Sequence, residues 1–220
     1  MYFKLFLFFI ICILLIILYS LPENFEYSEK QKNFLHNELR TLCKKITNLF
    51  DEYNITYFIH SGTLLGSVRE GDIIPHDDDI DIGIFPNSLE FILSSEFEKI
   101  LKDSGLRIIP FKTNKGIVKL KSLDTEHGIF IDIFVFRKNG TKYEYNSEVS
   151  RNTWKNGWFS ENELFPLKTY QLGNLYLYGP LEPHPYLNRH FGNDWMIPKK
   201  KKKNHQVEIN LNENCYGKCL

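Results

Sequence analysis

The order of apolar and polar positions along the chain predicts a membrane segment followed by a mixed α/β domain. Residues 5–19 read LFLFFIICILLIILY and carry no polar side chain. A helix over residues 1–21 would be about 31 Å long, which is enough to cross a bilayer core of about 30 Å. Lys4 precedes the apolar run and glutamates follow it, which favours a single-pass type II anchor with a lumenal body. A cleaved signal peptide is the open alternative.

The rest of the chain alternates between helical and extended patterns. Apolar residues recur every three or four positions over 28–53, which predicts an amphipathic helix, and again over 87–104 before a glycine. A helical turn is expected at 63–69. Alternating or wholly apolar runs predict strands, at 57–60, 80–84, 106–111, 117–120 and 129–136. This order predicts an α/β or α+β fold with a mixed sheet flanked by helices. After residue 140 the chain is aromatic and rich in Gly and Pro, and no element is predicted there.

These patterns divide the 220-residue chain into four parts. We expect an anchor at 1–21, a stem with the amphipathic helix at 22–53, a globular domain at 54–198 and a basic tail at 199–220. The formal net charge is zero, which argues against a nucleic-acid partner bound by bulk charge. The lysine run at 199–203 is expected to be solvated.

Two further features bear on the compartment. Asn54-Ile55-Thr56 and Asn139-Gly140-Thr141 fit the acceptor triplet for N-glycosylation, which agrees with a lumenal body. Three cysteines lie outside the apolar segment, at Cys43, Cys215 and Cys219. A disulfide with one free thiol and an intermolecular bridge are both open.

Four aspartates lie within five residues at the start of one predicted strand. Asp79 and Asp81 are two residues apart, so their carboxylates point to the same side of the sheet, and Asp77 can join them from the strand entrance. Like charges this close repel unless a cation lies between them. Asp132 interrupts an apolar strand, where a shared metal would compensate its burial. Carboxylate oxygens are hard ligands, so we expect Asp77, Asp79, Asp81 and Asp132 to bind Mg²⁺ or Mn²⁺, with Ca²⁺ as another candidate.

Phosphoryl and nucleotidyl transfer use carboxylates that share metal ions, so we assign Asp79, Asp81 and Asp132 as catalytic. Ser61-Gly62-Thr63 is expected where a strand gives way to a helix, a place where backbone N–H groups and a hydroxyl can hold phosphate.

Basic side chains near these positions could supply additional charge. Arg69 can neutralise a phosphate or pair with a neighbouring carboxylate, and both roles are open. Lys119 and Lys121 fall on one side of their strand, which is expected to be solvated.

Three blocks of the sequence resemble the LicD family, which includes bacterial phosphocholine transferases and the animal fukutin and fukutin-related proteins. They read GTLLGSVREGDIIPHDDDIDIGIF, HGIFIDIFVF and LFPL…YGPLEPHPYLNRHFGNDWMIP, and the likeness runs from about residue 54 to 198. The family has a nucleotidyltransferase-like fold. Its motif of a Gly with a small hydroxyl residue, an Asp-x-Asp strand and a third acid falls here on Gly62-Thr63, Asp79 with Asp81, and Asp132.

The resemblance implies transfer of a phospho-alcohol, such as phosphocholine or ribitol phosphate, from a CDP-activated donor to a glycan or glycoconjugate hydroxyl, with release of CMP. The lumenal, membrane-anchored form is similar to the fukutin branch, which implies the Golgi, with the ER as the other lumenal location. Expected partners are the donor, the acceptor and the membrane. The chain is also expected to form a homo-oligomer, or a hetero-oligomer with other glycosylation enzymes. The alternatives are a lumenal Asp-x-Asp glycosyltransferase that uses a nucleotide-sugar, and a catalytically inactive partner of glycosylation enzymes.

Overall fold

A computed structural model describes residues 28–109, 116–124 and 129–198, which form a mixed α/β fold. The anchor predicted at 1–21 and the basic tail at 199–220 lie outside the described residues, so both stay predictions. Within the described ranges, no helix is long and apolar enough to span a bilayer.

Seven helices occur in the described part of the chain. They are α1 (Glu29–Glu52), α2 (Ser61–Arg69), α3 (Pro86–Ile92), α4 (Ser95–Asp103), α5 (Glu148–Thr153), α6 (Glu161–Leu164) and α7 (Pro183–Phe191). The amphipathic helix predicted over 28–53 is confirmed as α1, which buries Leu39, Leu42 and Ile46 on one face. Cys43 on the same face is a free thiol, and burial raises its pKa to about 12. The other two cysteines of the predicted pairing lie outside the described residues.

The prediction of a single helix over 87–104 is wrong, because two helices lie in this range. The chain breaks at Ser94, whose side chain accepts a hydrogen bond from the Phe97 N–H and caps the start of α4. This serine cap divides the predicted helix into α3 and α4, and the glycine stop after α4 holds.

Nine strands occur in the same described ranges. They are β1 (Tyr57–Ile59), β2 (Ile80–Ile84), β3 (Leu106–Ile109), β4 (Ile117–Ser122), β5 (Ile131–Asn139), β6 (Lys142–Tyr145), β7 (Phe159–Ser160), β8 (Lys168–Leu172) and β9 (Leu175–Gly179). The first five confirm the predicted strands, with small shifts at their ends. The last four lie in the aromatic stretch for which the sequence predicts no element.

The main sheet has the strand order β1-β2-β5-β4-β3, and β6 extends it by pairing with β5 and β7. Strands β2 and β5 are parallel, whereas the other pairs are antiparallel. In this register Asp81 lies opposite Asp132, and Asp132 lies opposite Lys119 on β4. The register therefore aligns three ionisable residues across three neighbouring strands. Strands β8 and β9 form a separate hairpin.

Aromatic side chains fill the core where β1, β5, β6 and β7 come together. The Phe58 ring centroid lies 5.1 Å from that of Phe136 and 5.6 Å from that of Phe159, and Phe136 lies 4.6 Å from Tyr145. Gly83 on β2 makes room for this group, because a Cβ there would come within 2.6 Å of the Phe58 ring. We call these four rings the aromatic core.

Candidate metal centre and active site

Three carboxylates meet where the two parallel central strands begin. One oxygen each from Asp79, Asp81 and Asp132 lies within 4.8 Å of the others, and we call these residues the carboxylate cluster. Asp81 and Asp132 are register partners, and Asp79 shares the side of Asp81 because it lies two residues before it. A divalent ion bound at about 2.1 Å spans about 4 Å between opposite ligands, so small side-chain rotations would close the cluster around one.

The electrostatics of the cluster favour a cation. Burial raises the pKa of Asp81 well above its ordinary value, and the charges of Asp79, Asp132 and Asp77 raise it further. Lys119 acts in the opposite direction. A carboxylate that is hard to ionise among other carboxylates marks a place with too little positive charge, which a hard divalent cation would supply.

Lys119 belongs to this site, although the sequence predicts it on a solvated side of its strand. Its Nζ donates a hydrogen bond to Asp132 Oδ1 at 2.6 Å. The same ammonium lies 3.4 Å from the centroid of the Phe130 ring. The solvated-side prediction is therefore wrong for Lys119, because the antiparallel pairing of β4 with β5 places it opposite Asp132. Two residues further on, Lys121 has no carboxylate partner in the described part of the chain.

The predicted phosphate-holding turn lies against the carboxylate cluster. Thr63 Oγ1 accepts a hydrogen bond from the Asp81 N–H at 2.8 Å, which ties α2 to β2. A Cβ on Gly62 would come within 2.7 Å of Asp77 Oδ2, so only glycine fits at this position without displacing that carboxylate. The structure thus places the turn next to both the cluster and Asp77.

Ser61 connects the turn to a buried histidine. Its φ of 47° is in the left-handed region, and its N–H donates to the Tyr186 hydroxyl at 3.2 Å. Its Oγ lies 2.8 Å from His60 Nδ1 and 3.5 Å from the hydroxyls of both Tyr145 and Tyr186. These contacts fix the Ser61 side chain from three sides.

His60 is neutral at physiological pH. Its ring centroid lies 4.9 Å from that of Phe134 and 5.0 Å from that of Phe136, and its Nε2 has no hydrogen-bond partner within the described ranges. Burial lowers the pKa of His60 to about 3, and the nearby His190 contributes. Burial likewise lowers the pKa of His190 to about 4. We call His60 and His190 the histidine cluster; the sequence analysis misses both.

Two predicted site residues lie outside the carboxylate cluster. Asp77 is not among its three members, and its carbonyl oxygen accepts a hydrogen bond from His36 Nε2 at 3.1 Å. The Arg69 guanidinium donates to Glu70 Oε1 at 2.6 Å and to the Trp195 carbonyl at 2.8 Å. Of the two roles open to Arg69, the structure therefore shows the pairing with a neighbouring carboxylate.

Comparison with known proteins gives this site a family. A family model described as the LicD/FKTN/FKRP nucleotidyltransferase domain matches residues 54–182. An uncharacterized protein of Rickettsia typhi is 38% identical over 172 residues, which cover 77% of this chain and 49% of that protein. The ribitol-5-phosphate transferase FKTN of Homo sapiens is 28% identical over 169 residues, 74% of this chain and 33% of that protein. The ribitol 5-phosphate transferase FKRP of Homo sapiens is 24% identical over 162 residues, 70% of this chain and 31% of that protein.

The chain spans about half the length of the Rickettsia typhi relative and about a third of the two transferases. The matched region contains the Ser61-Gly62-Thr63 turn and all of the carboxylate cluster. Since the match covers more than half of its residues, the chain belongs to the LicD family.

Proposed function

We propose that the domain is a metal-dependent phosphotransferase that moves a phospho-alcohol from a CDP-activated donor to a glycan or glycoconjugate hydroxyl and releases CMP. The convergence of Asp79, Asp81 and Asp132 beside the Ser61-Gly62-Thr63 turn carries this proposal. Membership of the LicD family, and the ribitol-phosphate transferase names of two relatives, support the same class of reaction.

The carboxylate cluster is suited to Mg²⁺ or Mn²⁺, because it offers three converging oxygens and lacks positive charge. Asp79, Asp81 and Asp132 would hold the ion, which when bound neutralises charge on the donor pyrophosphate and on the leaving CMP.

The turn would position the donor phosphate. Thr63 Oγ1 already accepts from the Asp81 N–H, so its own O–H can donate to a phosphate oxygen. Gly62 has no side chain, which allows a phosphate to approach the backbone closely. The contacts of Ser61 with His60 and the two tyrosines would keep the Ser61 hydroxyl in one orientation toward the donor.

Transfer then needs one proton acceptor. A carboxylate of the cluster, or Asp77 beside the turn, takes the proton of the attacking hydroxyl. The hydroxyl oxygen bonds to the phosphorus that carries the alcohol, while the bond from that phosphorus to the bridging oxygen breaks. CMP leaves with the bridging oxygen and its electron pair. Negative charge develops on that oxygen, where a site organised in advance stabilises it.

The test is CMP release by the purified full chain with Mg²⁺ or Mn²⁺, mixed glycan acceptors, and CDP-ribitol, CDP-choline or CDP-glycerol. Asp81→Asn removes one proposed ligand, and Asp103→Asn, at the exposed end of α4, is the matched control. Metal-dependent CMP release that is lost only in Asp81→Asn supports the proposal. Release of a nucleoside diphosphate from a nucleotide-sugar would indicate a glycosyltransferase instead. Metal-dependent donor binding without product would indicate a binding relative that has lost turnover.

A further inference from the structure

We propose that Lys119 is an internal counter-cation of the carboxylate cluster, which neutralises part of its charge and competes with the divalent ion for Asp132. This role rests on the proposed function to the extent that the cluster binds a divalent cation. It requires no donor, no acceptor and no turnover, so it can be tested separately.

Two contacts and the sheet register hold the Lys119 ammonium at the cluster. The first is its 2.6 Å hydrogen bond to Asp132 Oδ1. The second is the Phe130 ring, whose centroid lies 3.4 Å from Nζ and whose face attracts a cation. The sheet register supports both contacts, because it aligns Lys119, Asp132 and Asp81 across β4, β5 and β2. The Lys119 side chain is 29% exposed, so the ion pair is partly shielded from water.

The charges of these groups suit one divalent ion. Once an ion is bound, three ionised carboxylates and one ammonium leave a net charge of two negative units, or three with the neighbouring Asp77, and a single divalent ion balances two of them. A second divalent ion would make the site positive before any anionic donor is present. We therefore expect one ion per chain in the absence of donor.

The ammonium and the ion also compete. An ion that coordinates Asp132 shares its carboxylate with the Lys119 hydrogen bond, and the two cations repel each other at this separation. Loss of the ammonium should therefore strengthen ion binding. The same loss should destabilise the ion-free protein, because Asp132 would lose the opposing charge of Lys119 while Asp79 and Asp81 still repel it. These opposite effects would not arise from a lysine that only packs.

The experiment compares Lys119→Met with Lys121→Met in the full chain. Methionine keeps a flexible, unbranched apolar side chain at this position and removes the charge that lies over the Phe130 ring. Lys121 is the matched control, because it lies on the same side of β4 without a carboxylate partner in the described ranges. Calorimetric titration with Mn²⁺ alone at neutral pH gives affinity and stoichiometry, and urea unfolding in EDTA gives the stability of the ion-free protein.

We expect Lys119→Met to bind Mn²⁺ about tenfold more tightly than the unmodified chain, since a unit charge has been removed beside a doubly charged ion. It should also unfold at a lower urea concentration in EDTA. Lys121→Met should match the unmodified chain in both measurements. Lys119→Arg keeps the positive charge and should therefore bind Mn²⁺ no more tightly than the unmodified chain.

Equal Mn²⁺ affinity and equal stability for the two methionine variants would overturn the proposal. Weaker Mn²⁺ binding by Lys119→Met would also overturn it, because Lys119 would then only orient Asp132. A full chain that binds no Mn²⁺ would overturn both proposals. Tight Mn²⁺ binding without CMP release would count against the proposed function alone and leave the role of Lys119 standing.

Discussion

The carboxylate cluster and the histidine cluster are neighbouring polar groups that deal with burial in opposite ways. The carboxylate cluster collects like charges, and the pKa of Asp81 rises in consequence. The histidine cluster excludes charge, because burial lowers the pKa of His60 to about 3 and that of His190 to about 4. The backbone joins the two, because the main-chain N–H of His60 donates to the main-chain carbonyl of Asp81 at 3.4 Å. An added cation would therefore bind on the carboxylate side only.

The difference shows how surroundings assign roles to ionisable residues. The carboxylates of Asp79 and Asp81 and the Lys119 ammonium lie around Asp132, so a cation taken from solution can balance the remaining negative charge. Aromatic rings surround His60, so its imidazole stays neutral and offers one donor and one acceptor. A neutral imidazole gives the Ser61 hydroxyl a fixed partner, whereas a charged one would compete with the ion.

The largest expected effect comes from removing one charge of the carboxylate cluster. Asp81→Asn should lower the rate of CMP release by about a thousandfold or more, which corresponds to about 4 kcal/mol of transition-state stabilisation. The same variant should be at least as stable as the unmodified chain in EDTA, because repulsion with Asp79 and Asp132 is relieved. Urea unfolding checks the second expectation, and a clear loss of stability would contradict the electrostatic account.

The next largest effect is expected from removing a ring of the aromatic core beside His60. Phe136→Ala removes a fully buried ring that contacts both His60 and Phe58, and should lower the free energy of unfolding by about 3–5 kcal/mol. Leu93→Ala is the control, because Leu93 is 56% exposed. Urea unfolding at neutral pH measures both. A loss in Phe136→Ala no greater than in Leu93→Ala would show that the rings are dispensable.

Metal removal separates the two clusters. Mn²⁺ at about a hundred times its dissociation constant should raise the free energy of unfolding by about 2.7 kcal/mol relative to EDTA. Asp81→Asn should show little of this response, whereas a histidine variant should keep it. Thermal unfolding with and without EDTA is sufficient. An equal response in Asp81→Asn would place the ion elsewhere.

The smallest expected effect is the pH dependence of the histidine cluster, and the lowered pKa of buried His36 acts in the same direction. The unfolded chain takes up protons below the ordinary histidine pKa of 6.5, while folded His60, with its pKa of about 3, does not. Stability is therefore full above pH 6.5 and falls as the pH is lowered, by about 1.4 kcal/mol for His60 at about pH 5.5. Asp81, with its raised pKa, acts oppositely: its ionisation removes stability as the pH rises through the folded-state value.

Urea unfolding in EDTA at several pH values tests this linkage. His60→Gln should flatten the loss of stability between neutral pH and about pH 5.5. His184→Gln, at an exposed position in α7, should keep the original slope. Equal slopes in the two variants would mean that His60 is already protonated in the folded chain.

The sequence predicts the carboxylate cluster because its signals are local. Asp79 and Asp81 alternate with isoleucines, and Asp132 is an acid in an apolar strand, so their side and burial can be inferred without knowing the sheet. Ser94 also carries a local signal, since a serine cap can be seen in the sequence, although the longer apolar period obscures it.

Lys119 and His60 could not be assigned in this way. Alternation places Lys119 and Lys121 on one side of a strand, but only the register with β5 decides which of them meets a carboxylate. The neutrality of His60 depends on Phe134 and Phe136, more than seventy residues away. Long-range pairing fixes both properties, and no local period encodes it.

Parallel pairing of β2 with β5 makes the carboxylate cluster a late product of protein synthesis, because β5 follows β2 by about fifty residues. Asp79, Asp81 and the Thr63 turn leave the ribosome well before Asp132, and a nascent chain that ends before β5 contains the acidic strand without its central neighbour. In such a chain we expect Asp79 and Asp81 to be solvated as in a short peptide, because the loop that brings Asp132 to them has not closed. Ion binding would therefore report that the central sheet has assembled, and a translation-arrested chain that lacks β5 would lack the site although most of its ligands are already made.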